Sequence, residues 1–415
     1  MSVLPLRRRL SVLVALVGCA VLAPPAARAS APPPAPAPVA ASAGRAVAAG
    51  VTYRVFDLPT SRGTARVHLL SADLGDPRVS VGLLYPGVVA ARAPLSRLAD
   101  GAGAVAGING DFFNLTEVQH PGVEATGAPV GPAVAGGRAL KAAVPRAQRF
   151  GPSLPPGTNT RQVLGVDQDG RARLGELVLR GAVTTPDGTL PLGGLNQYAL
   201  PVGSVGVFTK DWGSVSRLRS TCGTDSDRGA PCSAETYEVT VRGGRVVAVA
   251  GTPGRGAIAP GTQVLVGREE GARHLRGLAV GDRVQVSHRL VSAGRDVAYR
   301  FAVGGFPVLL GGAPLRGMDG VTSAVRTAAG IGAGGRRLLL LALDGGEGYR
   351  SGLTVVEVAE LLRDLGAVDG MNLDGGGSST LVARTGGSAG VRVLNHPSGG
   401  VERAVPNGIG LFVAP

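Results

Sequence analysis

Along most of the chain, hydrophobic residues come in short runs or alternate with polar ones, a pattern typical of β-strands. In the first part it predicts strands at 51–56, 65–70 and 78–83, a short helix at 95–100 and a buried strand at 104–108. Between about 160 and 292, Gly, Pro or Asp-Gly bounds nearly every apolar run, and the predicted strands are 162–166, 176–179, 237–241, 246–250, 263–266 and 283–287. Arg242-Gly243-Gly244-Arg245 has the composition of a hairpin turn.

The last third of the chain changes character. Leu338–Leu343 is a continuous apolar run, as expected of a strand buried on both faces. Thr354 and Glu357 have capping-box spacing, and apolar residues follow at helical intervals until Gly366. A strand at 368–373 completes a βαβ-like unit. We therefore predict an α+β fold with a large mixed β-sheet core, flanking helices and a β-rich middle region.

The N-terminus has the pattern of an export signal. Arg7–Arg9 precede an apolar stretch at 10–22, and Ala27-Arg28-Ala29 is an A-x-A cleavage site, so we predict a signal peptide at 1–29. An Ala- and Pro-rich linker at 30–50 and one large domain at 51–415 follow. No later stretch reaches the length of a transmembrane segment, so secretion is predicted. A lipobox-like sequence ending at Cys19 leaves a lipoprotein as the alternative.

Cys222 and Cys232 remain if Cys19 leaves with the signal peptide. An even number of cysteines in an exported chain predicts a disulfide between them. The enclosed Asp225-Ser226-Asp227 is only a weak calcium signal, because the other acidic residues of a calcium loop are missing.

Composition and charge narrow the function classes. The 415 residues include 67 Gly and 30 Pro, yet 44 % are hydrophobic, which argues against general disorder. Removing the four signal-peptide arginines lowers the net charge from +13 to +9. All basic residues except Lys141 and Lys210 are arginines, and they are dispersed rather than clustered with aromatic residues. We therefore expect no nucleic-acid partner, and the sequence leaves the oligomeric state undetermined.

The strongest candidate for chemistry follows the last predicted strand, at Asn372–Thr380. Three consecutive glycines, Gly375, Gly376 and Gly377, permit a backbone nest of converging N–H groups, to which Ser378 and Ser379 add hydroxyl donors. Asp374 stands beside that nest. The alternative is a glycine-rich turn capped by an aspartate.

Other polar residues also stand next to predicted apolar segments. They are Asn109 and Asp111 after 104–108, Arg326 and Thr327 in a segment of small residues, and Asp344 after 338–343. Together they supply carboxylates, an amide and a guanidinium, a set suited to a phosphorylated sugar. The histidines lack zinc-ligand spacing, and no serine-hydrolase elbow or free catalytic thiol is present in the sequence of the mature chain.

At these residues the sequence resembles the phosphodiester glycosidases, a family that includes the mannose-6-phosphate uncovering enzyme. The matching segments are Ile108–Asn114, Gly304–Pro307 with Leu309, Arg326–Ala328, Leu343–Gly345, Gly352–Thr354, Asn372–Thr380, and Asn395, Pro397, Pro406 and Asn407. Asp111 stands at a position that is often glycine in the family.

The resemblance implies hydrolysis of a sugar-1-phosphodiester at the anomeric carbon, with glycans of the cell surface or outside the cell as substrates. Arg326 and the loop Gly375–Ser379 are assigned to the phosphate, Asp374 to water activation or cation stabilisation, and Asp344 and Asn109 to supporting or sugar-binding roles. Thr327, Asp111 and Asn407 complete the predicted substrate site. No cofactor is required by the sequence, and a divalent cation such as Ca²⁺ among the aspartates is an open alternative. The competing hypothesis is a non-catalytic module that binds anionic wall polymers.

Overall fold

A computed structural model describes residues 44–60, 62–294 and 297–414 of the chain. The predicted signal peptide, Cys19 and the first part of the predicted linker lie outside these residues. Within the described ranges, no helix combines the length and apolar character needed to cross a bilayer.

In the described ranges, twenty-four strands make up most of the regular structure. The first twelve are β1 Arg45–Ala48, β2 Val51–Thr60, β3 Gly63–Asp73, β4 Val79–Leu84, β5 Ala106–Asn109, β6 Ala133–Ala135, β7 Arg138–Lys141, β8 Gln162–Asp167, β9 Ala172–Thr185, β10 Gly188–Leu195, β11 Val205–Phe208 and β12 Thr236–Arg242. The others are β13 Arg245–Ala250, β14 Thr262–Arg268, β15 Gln285–Ser292, β16 Tyr299–Gly304, β17 Phe306–Leu310, β18 Ala313–Pro314, β19 Thr327–Gly332, β20 Arg337–Leu343, β21 Asp369–Leu373, β22 Leu381–Arg384, β23 Val391–Val393 and β24 Gly408–Val413.

Helices are few and short. The α-helices are α1 Leu95–Ala102, α2 Glu270–Arg276 and α3 Val355–Asp364, and the 3₁₀ turns are Arg146–Gln148, Leu218–Thr221, Ala333–Gly335, Glu347–Tyr349 and Gly376–Ser378. Helix α3 begins with the predicted capping box, in which the Thr354 side chain accepts from the Glu357 N–H and the Glu357 side chain accepts from the Thr354 N–H. The chain leaves the helix through Gly366, which has a φ of 89°.

The strands form three sheets. The eight-stranded sheet has the order β1-β2-β3-β20-β19-β21-β17-β18, and the five-stranded sheet has the order β23-β22-β5-β24-β4. The eleven-stranded sheet contains β6 to β16, so it includes the predicted β-rich middle region. One parallel pair, β10 with β11, makes that sheet mixed, as the α+β prediction requires.

The predicted βαβ-like unit is present in a split form. Strands β20 and β21 are joined through α3, but β19 lies between them and pairs antiparallel with both. The leucines of β20 are fully buried, in agreement with the prediction of a strand covered on both faces. Helix α3 packs closely on this sheet because Gly330 and Gly370 leave room for Leu362.

The structure corrects one boundary and confirms one turn. Strand β1 forms at Arg45–Ala48, inside the range 30–50 that composition predicts as a linker, and pairs with β2. Short-range alternation does not reveal so short an edge strand. The hairpin between β12 and β13 is confirmed: Arg242 pairs with Arg245, and Gly243 and Gly244 have positive φ values of 57° and 73°.

The predicted disulfide between Cys222 and Cys232 is confirmed. The loop that it closes also contacts the rest of the fold, since Gln148 Nε2 donates to the carbonyl of Thr224 at 2.6 Å and a ring nitrogen of His120 lies 2.8 Å from the carbonyl of Ala230.

Replacing Cys222 and Cys232 by alanine together should lower the free energy of unfolding by about 2 to 3 kcal/mol, because a crosslink over this short loop restricts the unfolded chain. Urea unfolding of the double variant against the oxidised wild type measures the effect. An unchanged midpoint would show that the contacts of the loop hold it without the crosslink.

Candidate active site

The polar residues singled out in the sequence meet where one end of the eight-stranded sheet faces one end of the five-stranded sheet. Strands β5, β20 and β21 end there, and β19, β22 and β24 begin there. Because β19 runs antiparallel to both neighbours, its first residue lies beside the last residues of β20 and β21. The residues brought to this end are Asn109, Asp111, Arg326, Thr327, Asp344, Asp374, Thr380 and Asn407.

Asn109 is the centre of a buried network that joins the two sheets. Its Nδ2 donates to the carbonyl of Asp374 at 2.6 Å, and its Oδ1 accepts from the N–H of Thr380 at 3.0 Å. The Thr327 hydroxyl lies 2.9 Å from the same Oδ1 and 3.0 Å from the Ser379 hydroxyl. The side chains of Asn109, Thr327, Ser379 and Thr380 are fully buried. Asn109, Thr327 and Ser379 therefore position the Asp374 backbone rather than face a ligand.

The glycine loop adopts a tight turn that uses most of its own N–H groups. The N–H of Gly376 donates to Val325, that of Ser378 to Gly375, and that of Ser379 to Gly376, at 2.7 to 3.1 Å. The expected nest of converging donors is therefore not formed by these groups. Glycine at 375 is required for packing instead, since a Cβ there would lie 2.6 Å from the carbonyl oxygen of Val325.

Asp374 is a partly exposed residue whose carboxyl is enclosed by protein atoms. Burial raises its pKa to about 7, although a hydrogen bond from Ser378 and the positive charge of Arg403 act in the opposite direction. The negative charge of Asp111 adds to the rise. Arg403 Nη1 lies 3.3 Å from the Ser378 hydroxyl, and its guanidinium packs over Gly377. The sequence analysis missed Arg403, because no motif distinguishes it from the other dispersed arginines.

Asp111 is a second carboxyl near Asp374, and it is buried. Its Oδ2 accepts from the N–H of Gly131 at 2.6 Å, while its own N–H donates to Asn407 Oδ1 at 2.9 Å. Burial raises the pKa of Asp111 to about 6, against the Gly131 hydrogen bond and the positive charges of Lys141 and Arg149. The charge of Asp111 raises the proton affinity of Asp374, whereas the protonation of Asp111 is linked to that of the neighbouring Lys141.

Lys141 and Arg149 are further site residues that the sequence analysis missed. The Lys141 ammonium is fully buried and donates to the carbonyls of Val130, Gly131 and Ala142, so each of its three N–H groups has an acceptor. Burial lowers its pKa. Arg149 packs over the stacked rings of Phe112 and Phe306, at 5.6 and 5.8 Å from their centroids. The rarity of lysine in this chain was the signal that could have found Lys141.

Arg326 is buried and links two loops. Its Nε donates to the carbonyl of Leu353 at 3.0 Å and its Nη2 donates to the carbonyl of Thr322 at 2.8 Å. Burial lowers the pKa of its guanidinium, against the charge of Asp319. The phosphate-binding role of Arg326 stays a prediction, and its observed contacts are those of a brace beneath the glycine loop.

Asp344 belongs to a chain of hydrogen bonds that the sequence analysis also missed. Its Oδ2 lies 3.1 Å from His68 Nε2, and His68 Nδ1 lies 2.7 Å from the Tyr53 hydroxyl. Asp344 also accepts from the N–H groups of Gly346 and His396. Asn395 Nδ2 donates to the carbonyls of Leu343 and Ser379, which ties the Asp344 side to the glycine loop.

Binding of a divalent cation by the candidate aspartates stays a prediction. Across the described ranges, no group of three or more His, Cys, Asp or Glu side chains is placed to hold a metal ion. Asp111, Asp344 and Asp374 accordingly do not form a three-carboxylate site, nor do Asp225 and Asp227 belong to one.

Solved structures with a similar fold include a hypothetical protein from Synechocystis, with a TM-score of 0.67 and 22 % identity over 88 % of this chain; the chain spans 62 % of the length of that protein. A putative exported protein from Burkholderia pseudomallei has a TM-score of 0.62 and 26 % identity over 86 % of this chain and 75 % of its own. The catalytic domain of zebrafish N-acetylglucosamine-1-phosphodiester alpha-N-acetylglucosaminidase, auto-inhibited by its pro-peptide, has a TM-score of 0.42 and 14 % identity over 88 % of this chain and 83 % of its own.

No curated protein matches the chain at a significant level. The phosphodiester glycosidase family matches residues 235–412, a range that includes the Arg326, Asp344 and Asp374 segments but not Asn109 or Asp111. Residues 235–412 of this chain are thus related to the phosphodiester glycosidase family, as the sequence motifs led us to expect.

Proposed function

We propose that this protein is an exported hydrolase that cleaves sugar-1-phosphodiesters at the anomeric carbon, with cell-surface or extracellular glycans as substrates. The observation that carries the proposal is the Asp374 carboxyl, which lies at the meeting point of two sheets and feels both the positive charge of Arg403 and the negative charge of a second carboxyl, Asp111. The relation of residues 235–412 to the phosphodiester glycosidases supports it.

A pair of carboxyls with raised pKa values suits chemistry at an anomeric carbon. With its pKa near 7, the Asp374 carboxylate can take a proton from water, and the nearby negative charge of Asp111 favours that uptake. A phosphate monoester leaves readily and needs little acid assistance. Arg403 supplies positive charge for that phosphate, and the carboxylate stabilises the cationic character that develops at the sugar carbon.

The remaining residues hold this arrangement. Asn109 fixes the backbone of Asp374, Asn407 and Gly131 fix Asp111, and Arg326 braces the loops under Gly375. Support from buried neighbours keeps catalytic side chains within a few tenths of an ångström of a productive geometry.

Export is supported by the pattern of residues 1–29 and by the disulfide, because disulfides persist in oxidising compartments. The Burkholderia structure of similar fold is described as that of a putative exported protein.

Hydrolysis in ¹⁸O-labelled water tests the proposal. A panel of chromogenic sugar-1-phosphodiesters should be turned over, and early quenching should show the label in the anomeric hydroxyl of the sugar. Label in the phosphate monoester would instead indicate attack on phosphorus, which usually needs metals or an in-line nucleophile. Binding of the panel without turnover would favour the non-catalytic module for anionic polymers.

A further inference from the structure

A groove opens beside Asp344, along β2 and β3 of the eight-stranded sheet. It has a volume of about 640 Å³, within the range of small-ligand sites. Strands β2 and β3 of the eight-stranded sheet form one wall, and Leu394, after β23 of the five-stranded sheet, lies on the other side. Five of its eight lining residues carry polar side chains: Tyr53, Asp57, Arg66, His68 and Asp344.

The hydrogen-bond chain in this groove fixes the direction in which Tyr53 can interact. A carboxylate only accepts, so His68 Nε2 carries the proton shared with Asp344, and His68 Nδ1 is left as an acceptor. Burial lowers the pKa of His68, which keeps the ring neutral near pH 7. The Tyr53 O–H therefore donates to His68, and its oxygen lone pairs are left to accept from a ligand.

The charges of the groove disfavour an anion. Arg66 forms two hydrogen bonds with the Asp57 carboxylate, at 2.7 and 3.0 Å, and its guanidinium lies 4.1 Å from the centroid of the Tyr349 ring. Arg45 lies over the Tyr53 ring. The fork of Arg66 is thus already used by Asp57, and a second carboxylate, Asp344, also lines the groove.

The apolar part of the lining comes from Val55, Leu394 and the Tyr53 ring. An uncharged ligand with hydroxyl groups on its edges and C–H groups on its faces matches such a surface. The groove is also close to the proposed catalytic turn, because His396 donates to Asp344 and the Ser398 hydroxyl donates to the carbonyl of Gly376 at 3.3 Å.

We propose that the groove lined by Tyr53, Val55, Arg66, His68 and Asp344 binds a neutral oligosaccharide segment, with a sugar hydroxyl donating to Tyr53. If the proposed function holds, this segment is the part of the substrate glycan that continues beyond the scissile phosphodiester; this assignment rests on the proposed function. Binding of a phosphate-free oligosaccharide in the groove does not depend on it.

Calorimetric titration with four neutral hexasaccharides, maltohexaose, cellohexaose, chitohexaose and mannohexaose, tests the proposal. At least one should bind the wild type, and Val55→Trp, which fills the groove from β2, should weaken that binding tenfold or more. Val249→Trp is the matched control, because Val249 lies on β13 and is 40 % exposed, against 45 % for Val55. Its affinity should equal that of the wild type.

Tyr53→Phe provides a test that does not depend on a large side chain. It should weaken binding of the same hexasaccharide about fivefold, the effect of one hydrogen bond. The proposal is overturned if none of the four sugars binds, if Val55→Trp or Tyr53→Phe binds as the wild type does, or if excess inorganic phosphate displaces the sugar. Turnover of a small sugar phosphodiester, measured alongside, tests the proposed function separately.

Discussion

Asp374→Asn should reduce kcat/KM for a sugar-1-phosphodiester by about 10³-fold or more, because the amide can neither take a proton from water nor stabilise a developing cation. Binding of the phosphomonoester product should be largely kept, since Arg403 remains in place. In the wild type, kcat/KM should rise with pH through about 7, following the ionisation of Asp374. Steady-state kinetics between pH 5 and 9, with product titration of the variant, measure both.

The same substitution should stabilise the protein above pH 7. In the unfolded chain an aspartate has a pKa near 3.9, so between about pH 4 and 7 the folded state binds the Asp374 proton more tightly than the unfolded state does. Below pH 4 this tighter proton binding contributes its full stabilisation of the folded state. The stabilisation is lost as the pH rises through 7. The amide of the variant does not titrate, so the variant should gain about 2 to 4 kcal/mol at pH 8 relative to pH 4.

Asp167→Asn is the matched control, with an expected effect of opposite sign. Asp167 is a buried residue, but hydrogen bonds from Arg173 and Arg171 lower its pKa although burial alone would raise it. Its replacement should destabilise the protein at pH 8 and leave kcat unchanged. A wild-type rate for Asp374→Asn would show that Asp374 only caps the turn. The catalytic carboxylate would then have to be Asp111 or Asp344.

Asn109→Ala should lower kcat by about 10²-fold and the free energy of unfolding by about 3 kcal/mol, because it removes three hydrogen bonds and leaves buried partners on both sheets unpaired. The loss of rate follows from release of the Asp374 backbone, since a shift of about 1 Å at a catalytic group can cost that much. Denaturant unfolding and kinetics at a temperature where the variant is folded measure the two effects.

Asn196→Ala separates positioning from general stability. Asn196 is equally buried and makes three side-chain hydrogen bonds, with Leu140 and Thr209, inside the eleven-stranded sheet. Its loss should destabilise the fold to a similar extent without lowering kcat of the folded protein. Equal losses of kcat in the two variants would contradict the positioning role of Asn109.

Local pattern was sufficient for most of the elements. The alternation after Val51, the apolar run before Asp344 and the capping box at Thr354 are signals within a few residues, and the structure confirms the strand or helix predicted from each. The two cysteines and the Arg242–Arg245 turn are local signals of the same kind. The motifs at predicted strand ends also located the region of the candidate site. Residues that follow one strand and precede an antiparallel neighbour lie at the same end of a sheet.

The detailed roles depend on contacts between residues distant in sequence. The glycine loop uses its N–H groups within the fold because Val325 lies under it, and Arg326 reaches the carbonyl of Leu353 because their two loops meet. Lys141 and Arg403 became visible as site residues only once folding placed them beside Asp111 and Asp374.

The sequence by itself determined the β-rich α+β architecture, the disulfide and the aspartates, glycines and asparagine from which the candidate site is built, since each depends on residue type and short-range spacing. Tertiary structure alone decided which charges act on each carboxyl, which hydrogen-bonding atoms are left for a ligand and that Tyr53, His68 and Asp344 form one chain. The physical reason is that pKa values and hydrogen-bond directions depend on burial and on partners as far as 276 and 296 positions away along the chain, which no local pattern records.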